Sequence, residues 1–577
     1  MKTLKYIAIL ATFFLISSAS ARNIEIRIMQ TSDIHGNFYP YDFITGHGSD
    51  GSLARVATAV TEARENGKMP LILLDNGDIL QGQPTAYYYN YVDTASRHLA
   101  AEMLNFIGYD AATVGNHDME TGTKVLKRYA SDCAMPVLGA NIIDKRTGNP
   151  AFQPYKIINH DGIRIAVLGL ITPAIPAWLP ETLWEGLRFD DMEETAQKWL
   201  PIIKQRHNPH AIIGLFHSGQ SGNILAGHKE NASVEVAKNV PGFDIVMMGH
   251  DHRRENRKIA NIARDSVLII NPANNANTIA SVIMTFNVNE HGNVTGKTVK
   301  GNLLDMSGYK PDSAFVKKFA TQKETVKNYV SQTIGTINKT ISTREAFFGP
   351  SEFVDLIHTL QLAITGADIS MAAPLSYDAS IPAGTITMAD MFSLYKYENL
   401  LYVMELKGKE IKGYLEESYG KWTNQMKSPN DNLLLFKQKV QSGDKSRSTL
   451  LYPSYNFDSA AGIIYEVDVT KPKGSRVTIK SMADGSAFNP EKTYRVALNS
   501  YRGNGGGELL TNGAGIEHSR LKERIVYSTD RDLRHYLAEY ISAQKEITPK
   551  KLNHWKFVPE KWVVPASERD IRLLFNR

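Results

Sequence analysis

From residue 24 to about residue 300, short β-branched apolar runs alternate with segments whose apolar residues recur at helical spacing. The runs predict strands over 24–30, 71–74, 111–114, 163–170, 211–216 and 245–248, and the helical spacing predicts helices over 53–66 and 195–205. Strands and helices alternating along a chain indicate an α/β layer structure. Asp312 then opens a polar stretch with apolar residues at Phe315, Phe319, Val326 and Val330, a narrow stripe that predicts a helix joining two domains. The second half begins with Ser351 as an N-cap to a helix carrying Phe353, Leu356, Ile357, Leu360 and Ile364. Strands are predicted over 369–373 and 462–469, with the polar, Lys-rich 426–448 between them as an exposed loop. No period of about 20–50 residues suggests a solenoid or propeller.

The chain has 577 residues, 42% apolar and 22% charged. At about 100–200 residues per domain, it holds at least two domains, and core burial is not limiting. The formal charge is +5, too small a surplus on so long a chain to form the basic face that a nucleic-acid scaffold requires. Two of those positives, Lys2 and Lys5, precede an apolar run from Tyr6 to Ile16 and the small residues Ala19, Ser20 and Ala21. That layout predicts a signal peptide over 1–21. The run is about half of the roughly 20 apolar residues that span a bilayer, so no membrane anchor is expected after cleavage. Cys133 is the sole cysteine, which rules out an intrachain disulfide and suits a periplasmic or secreted protein of bacterial type.

The informative residues stand where predicted strands end. Run 24–30 leads into Asp33 and His35, 71–74 into Asp75 and Asp78, and 111–114 into Gly115-Asn116-His117-Asp118. Run 211–216 leads into His217, and 245–248 into Gly249-His250-Asp251-His252. Each fragment alone reads as a turn or a hydrogen-bonded histidine. The ordered set is specific, because the carboxyl ends of strands in an α/β sheet collect along one edge. Imidazole with carboxylate suits Zn, Mn, Fe or Co, and one shared carboxylate can hold two cations about 3.5–4 Å apart.

In order, these motifs resemble those of the calcineurin-like metallophosphoesterases, and within them the exported nucleotidases. The resemblance implies two divalent metal ions, one held by Asp33, His35, Asp78 and His252, the other by Asp78, Asn116, His217 and His250. It also implies that His117 faces the phosphate as a catalytic residue. Many relatives orient this histidine with an aspartate three residues on; here that position is Glu120, the expected catalytic partner.

Substrate choice must come from the second half. Tyr455, in Ser454-Tyr455-Asn456-Phe457-Asp458, and Tyr501, in Asn499-Ser500-Tyr501-Arg502-Gly503, both sit beside loop-forming residues. Two aromatic faces there could clasp a planar base, or both could be core tyrosines. These segments, with Ala372-Ala373-Pro374-Leu375 and Leu394-Tyr395-Lys396-Tyr397-Glu398-Asn399, resemble the 2′,3′-cyclic-nucleotide 2′-phosphodiesterase/3′-nucleotidase branch. That resemblance implies substrate binding by Tyr455, Tyr501, Arg502 and Asn116. The Asn-Gly-Gly-Gly-Ile-Arg segment of the 5′-nucleotidase branch is replaced here by Ala-Ala-Pro-Leu, although Arg344 or Arg502 could serve a phosphate instead. Tyr87, Tyr88, Tyr89 and Tyr91 are expected at a helix or domain contact, and His358 as a structural histidine.

The resulting expectation is an α/β protein. The family resemblance implies an N-terminal four-layer α/β/β/α metallophosphoesterase domain (22–310), joined by a connecting helix (311–338) to a C-terminal α/β nucleotide-binding domain (339–577). The expected activity is metal-dependent hydrolysis of small nucleotide phosphoesters, cyclic 2′,3′ and 3′ before the alternatives of 5′-nucleotides or nucleotide sugars. A non-catalytic nucleotide-binding protein is the remaining alternative. Oligomeric state has no signature in the sequence.

Overall fold

The structure is a computed structural model that describes residues 21–65, 67, 69–225, 227–437 and 449–575. Residues 1–20 of the expected signal peptide and 438–448 of the predicted loop lie outside the described residues. Among the described residues, no helix is long and apolar enough to cross a membrane.

Two six-stranded sheets form the centre of the N-terminal half. In one, Leu71–Asp75 and Ala111–Thr113 run parallel beside Arg22–Thr31, which pairs antiparallel on its other edge with Thr278–Val288. In the other, Ile163–Ile171, Ala211–His217 and Ile245–Met248 are parallel neighbours. Ile26, Ile28, Ile72 and Leu74 from the first sheet pack against Val167, Ile213, Leu215 and Met247 from the second. The opposite faces are covered by helices: Leu53–Glu65, Leu99–Ile107 and Thr123–Asp132 on the first sheet, Met192–His207 and Ser233–Asn239 on the second. The expected α/β/β/α order is present. Arg22–Thr31 shows why the pattern was readable: burial alternates near its start, then becomes continuous as it approaches the site, where layers cover both faces.

The expected single connecting helix over 311–338 is instead two helices, Ser313–Lys318 and Ala320–Val330, followed by a strand, Thr333–Ile337. At the break, Phe319 (φ −104°, ψ 20°) leaves helical geometry and the Tyr39 hydroxyl donates to its carbonyl at 2.9 Å. Phe315, Phe319, Val326 and Val330 are buried in the N-terminal core, so the stripe packs on one domain rather than spanning free. Thr333–Ile337 then pairs with Gly384–Thr387 and Glu546–Ile547 in the second half.

The C-terminal half is built on a five-stranded sheet ordered Ser459–Ala461, Ile369–Ala372, Thr493–Asn499, Leu400–Lys407, Ile525–Asp532. Ser351 caps helix Glu352–Thr365, its hydroxyl accepting from Val354 N at 3.2 Å. His358 on that helix is buried between Ser370 and Ser459, hydrogen-bonded to both. The halves meet where the Tyr87 hydroxyl donates to Asp532 at 3.0 Å and the Arg534 guanidinium lies over the Tyr87 and Phe392 rings. The tyrosine run thus makes a domain contact. On the far rim of the cleft, Asn504 Nδ2 donates to the Trp178 carbonyl at 3.2 Å and Lys522 pairs with Glu181.

Candidate functional site

The loops that follow five parallel strands converge at the seam between the two sheets and face the C-terminal half. Close backbone approach makes this possible. A Cβ on Gly115 would collide with Asp78 Oδ1, and one on Gly249 with the Ser32 hydroxyl. Asp33, His35, Asp78, His250 and His252 all adopt positive φ, between 50° and 72°. Left-handed backbone costs a non-glycine residue on the order of 1–3 kcal/mol, and clusters of such residues mark functional sites. Asp118 holds two of the loops together: its carboxylate accepts from Asp78 N, Ile79 N, Leu80 N and Gly115 N at 2.8–2.9 Å.

The side chains then meet in two groups. In the first, His35 Nε2 and His252 Nε2 lie 3.1 Å apart, with Asp33 Oδ1 3.3 Å from His252 Nε2. In the second, His217 Nε2 is 3.2 Å from Asp78 Oδ2 and 3.1 Å from Asn116 Oδ1, while His250 Nδ1 is 2.8 Å from the same Asn116 oxygen. Asp33, Asp78 and His217 are also close enough to share one ion.

The donor chemistry fits divalent cations. His217 Nδ1 is 2.6 Å from the Asn76 carbonyl, which requires the proton on Nδ1 and leaves the Nε2 lone pair facing Asp78 and Asn116. His250 Nε2 is 3.0 Å from Glu230 Oε1, which likewise leaves its Nδ1 lone pair facing Asn116. Lone pairs pointing at one another from a buried carboxylate, an amide oxygen and two imidazoles repel unless a proton or a cation lies between them. Without a cation the arrangement holds a proton: burial opposes it, but Asp78 lifts the His217 imidazole to about 10. The Asp78 carboxyl lies well below the usual range, burial being outweighed by His217 and His117. Metal binding at such a site releases protons.

His117 sits beside these groups, 28% exposed, its Nδ1 2.7 Å from Glu120 Oε2. Burial alone would lower its imidazole, but Asp78 and Glu120 outweigh it and lift it to about 9. The extra methylene of Glu120 therefore still reaches the ring.

His35, Asn116, His117, Glu120, His250 and His252 line one cleft of 1220 Å³ that also takes in Tyr397, Tyr455, Asn499 and Tyr501 from the C-terminal half, while Asp33, Asp78 and His217 are buried behind that lining. Tyr455 and Tyr501 form no parallel slot between them: they stand at 88° with centroids 6.3 Å apart, and Tyr397 meets Tyr455 at 84°. Tyr455 or Tyr501 must turn before a base can stack between that pair. Arg502, expected against substrate, is only 1% exposed. It is bound by the Asp458 carboxylate at 2.8 and 3.1 Å and donates to the Tyr455 carbonyl, so it braces the tyrosines from behind. Arg344 is committed to Asp378 outside the cleft. Among the described residues, no arginine of the C-terminal half lines the cleft.

Two cleft residues had no signal in the sequence: Glu230 arrives on a polar hairpin, and Trp178 tilts over the His250 ring at 5.6 Å. Lys396 and Tyr397, which also line the cleft, lie in the 394–399 segment that carried part of the family resemblance. Asp118 could have been found as the fourth residue of Gly-Asn-His-Asp.

Comparison with known proteins agrees with this geometry. Residues 26–254 match the calcineurin-like phosphoesterase family and residues 333–512 match the 5′-nucleotidase C-terminal domain. The chain is 26% identical to a 2′,3′-cyclic-nucleotide 2′-phosphodiesterase/3′-nucleotidase of Yersinia enterocolitica, over 94% of this chain and 89% of that protein. It is 27% identical to the protein of the same name from Salmonella typhimurium, over 96% and 92%. A crystal structure described as a putative 5′-nucleotidase from Staphylococcus aureus shares the fold, with a TM-score of 0.75 at 22% identity, covering 92% of this chain and 99% of that one. Matched in both halves and carrying a convergent set of metal-type donors, the chain combines a calcineurin-like phosphoesterase domain with a 5′-nucleotidase C-terminal domain, and it is a phosphoester hydrolase.

Proposed function

We propose that this protein is an exported, two-metal hydrolase that converts 2′,3′-cyclic nucleotides to 3′-nucleotides and these to nucleoside and phosphate. The carrying observation is that members of both donor groups (His35 and His252, Asn116 and His250), His117 and the tyrosines open onto one cleft. Asp33, His35, Asp78 and His252 would hold one cation, and Asp78, Asn116, His217 and His250 the other. When bound, the cations supply Lewis acidity to the phosphoryl oxygens and acidify a water near neutral pH.

The chain's own groups do the rest. Tyr455 and Tyr501 hold the base while Arg502 and Asp458 fix the backbone that carries them. With Nδ1 engaged by Glu120, His117 presents Nε2 to the cleft. As a water oxygen bonds to phosphorus and the P–O2′ bond breaks, His117 Nε2 gives its proton to the departing 2′-oxygen, and the proton of the water passes to solvent. His117 Nε2 then regains a proton from solvent and, in the second hydrolysis, gives it to the departing 3′-oxygen as a second water oxygen bonds to phosphorus, its proton passing to solvent, and the P–O3′ bond breaks.

The cyclic and 3′ preference rests on the similarity to proteins named for those activities and on the C-terminal half supplying Lys396, but no arginine, to the cleft lining. The 5′-nucleotidase reading is favoured by the C-terminal family match. Phosphate release from 2′,3′-cyclic AMP, 3′-AMP and 5′-AMP by metal-loaded protein separates the two. Added phosphatase is needed to reveal monophosphate formed from the cyclic ester. Preference for the first two substrates is expected; preference for 5′-AMP would move the protein to the other branch.

A further inference from the structure

The four histidines that face the candidate metal positions are not backed alike. His217 Nδ1 meets the Asn76 carbonyl, His35 Nδ1 the Gln81 carbonyl at 3.3 Å, and His252 Nδ1 the Asn274 side-chain amide at 3.1 Å. Those partners are neutral. His250 alone among them, in the described residues, is backed by a carboxylate: its Nε2 is 3.0 Å from Glu230 Oε1.

The delivery of Glu230 is specific. It lies on a two-stranded hairpin, Gly222–Leu225 with His228–Asn231, whose residues are exposed or half-buried and whose Ile224 points into solvent. Such a hairpin gains little from apolar burial. It is held by polar contacts to the loop after His217: Ser218 Oγ donates to the Glu230 carbonyl at 2.8 Å, and Asn231 Oδ1 accepts from Gly219 N at 3.0 Å. Asn223 Nδ2 occupies the second carboxylate oxygen at 2.9 Å, which leaves Glu230 Oε1 aimed at His250.

We propose that Glu230 is a positioning residue that fixes the tautomer of His250 and enriches its Nδ1, so that the two metal positions are unequal and the one served by His250 binds its cation more tightly. The physical ground is that a carboxylate partner fixes ring orientation and raises the basicity of a ligating imidazole, and losing such a partner costs about 10–100-fold in metal affinity. A neutral carbonyl orients the ring with less charge. This inference rests on the two-metal reading above.

The test is calorimetric titration of cobalt(II) into chelator-stripped, full-length protein, wild type and Glu230→Gln. The wild type is expected to show two binding events. Glu230→Gln, which keeps the size and an acceptor oxygen but not the charge, is expected to weaken one event by about 10–100-fold and leave the other unchanged. Asn223→Ala, which frees the second carboxylate oxygen without touching His250, is expected to weaken the same event by a smaller factor. An unchanged thermal midpoint of the stripped variants shows that the hairpin is still in place; if Glu230→Gln lowers it, Asn223→Ala decides. Two events in the wild type that both variants leave alone, or weaken equally, would overturn the proposal and spare the two-metal reading. A single event in the wild type would remove that reading and this inference together.

Discussion

The two walls of the cleft are built on opposite plans. On the N-terminal wall, side chains from five strand ends are held with lone pairs already converging, on backbone forced into positive φ and tied by the four bonds of Asp118. On the C-terminal wall, the Tyr455 ring stands edge to face with both Tyr397 and Tyr501, and Tyr455 or Tyr501 must turn before the two can clasp a planar group between them. The difference teaches where rigidity is needed. Donors for a small ion or a developing charge lose their worth when displaced by an ångström, so their geometry is set before substrate arrives. A stacking surface tolerates rotation, and under the proposed function the adjustable wall would be the one that selects among substrates.

The largest effect that would break this comparison lies on the rigid wall. His117→Ala is expected to lower kcat by about 10²–10⁴ while metal content, measured by elemental analysis, stays at the wild-type value. Equal loss of metal and turnover would make His117 part of the ion site instead. Next comes the brace behind the adjustable wall. Arg502→Met leaves Asp458 buried without its cationic partner and is expected to cost about 3–5 kcal/mol in urea unfolding, with KM for nucleotides rising as the tyrosine loops loosen. Stability unchanged within error would mean that the pair is dispensable and the loops hold themselves. The smallest effect sharpens the contrast: Tyr501→Ala is expected to lose about 1–3 kcal/mol of nucleotide binding, seen as a higher KM. Turnover of p-nitrophenyl phosphate, which has no nucleoside, should be unaffected. A parallel loss on both substrates would show that Tyr501 supports the metal wall as well.

The metal wall was legible because its motifs are local. Each candidate ligand lies within a few residues of a strand end, and an α/β sheet brings strand ends to one edge whatever the intervening length. The residues behind the ligands were not legible. Glu230 reaches His250 only because a hairpin folds back over the His217 loop, and no spacing in the chain encodes that contact. Arg502 shows the opposite limit: its position beside Tyr501 suggested a phosphate contact, yet burial with Asp458 makes it a brace. A charged residue next to a binding residue is ambiguous until its exposure is known.

The connecting segment divides in the same way. Its apolar stripe announced a helix, but Tyr39, distant in sequence, takes the Phe319 carbonyl where the helix breaks, and the following strand joins a sheet completed by residues after 380. By itself the sequence determined the α/β alternation, the strand-end motifs that carry the candidate ligands and the two-part architecture, because periodicity and strand-end motifs are properties of short segments; the four-layer order and the pairing of His117 with Glu120 came from the family resemblance that those motifs carry. Tertiary structure alone decided that both walls share one cleft, that Tyr455 and Tyr501 stand perpendicular, that Arg502 faces inward and that, of the four metal-facing histidines in the described residues, only His250 is backed by a carboxylate. These depend on which distant surfaces pack together, and packing is settled by the whole chain at once.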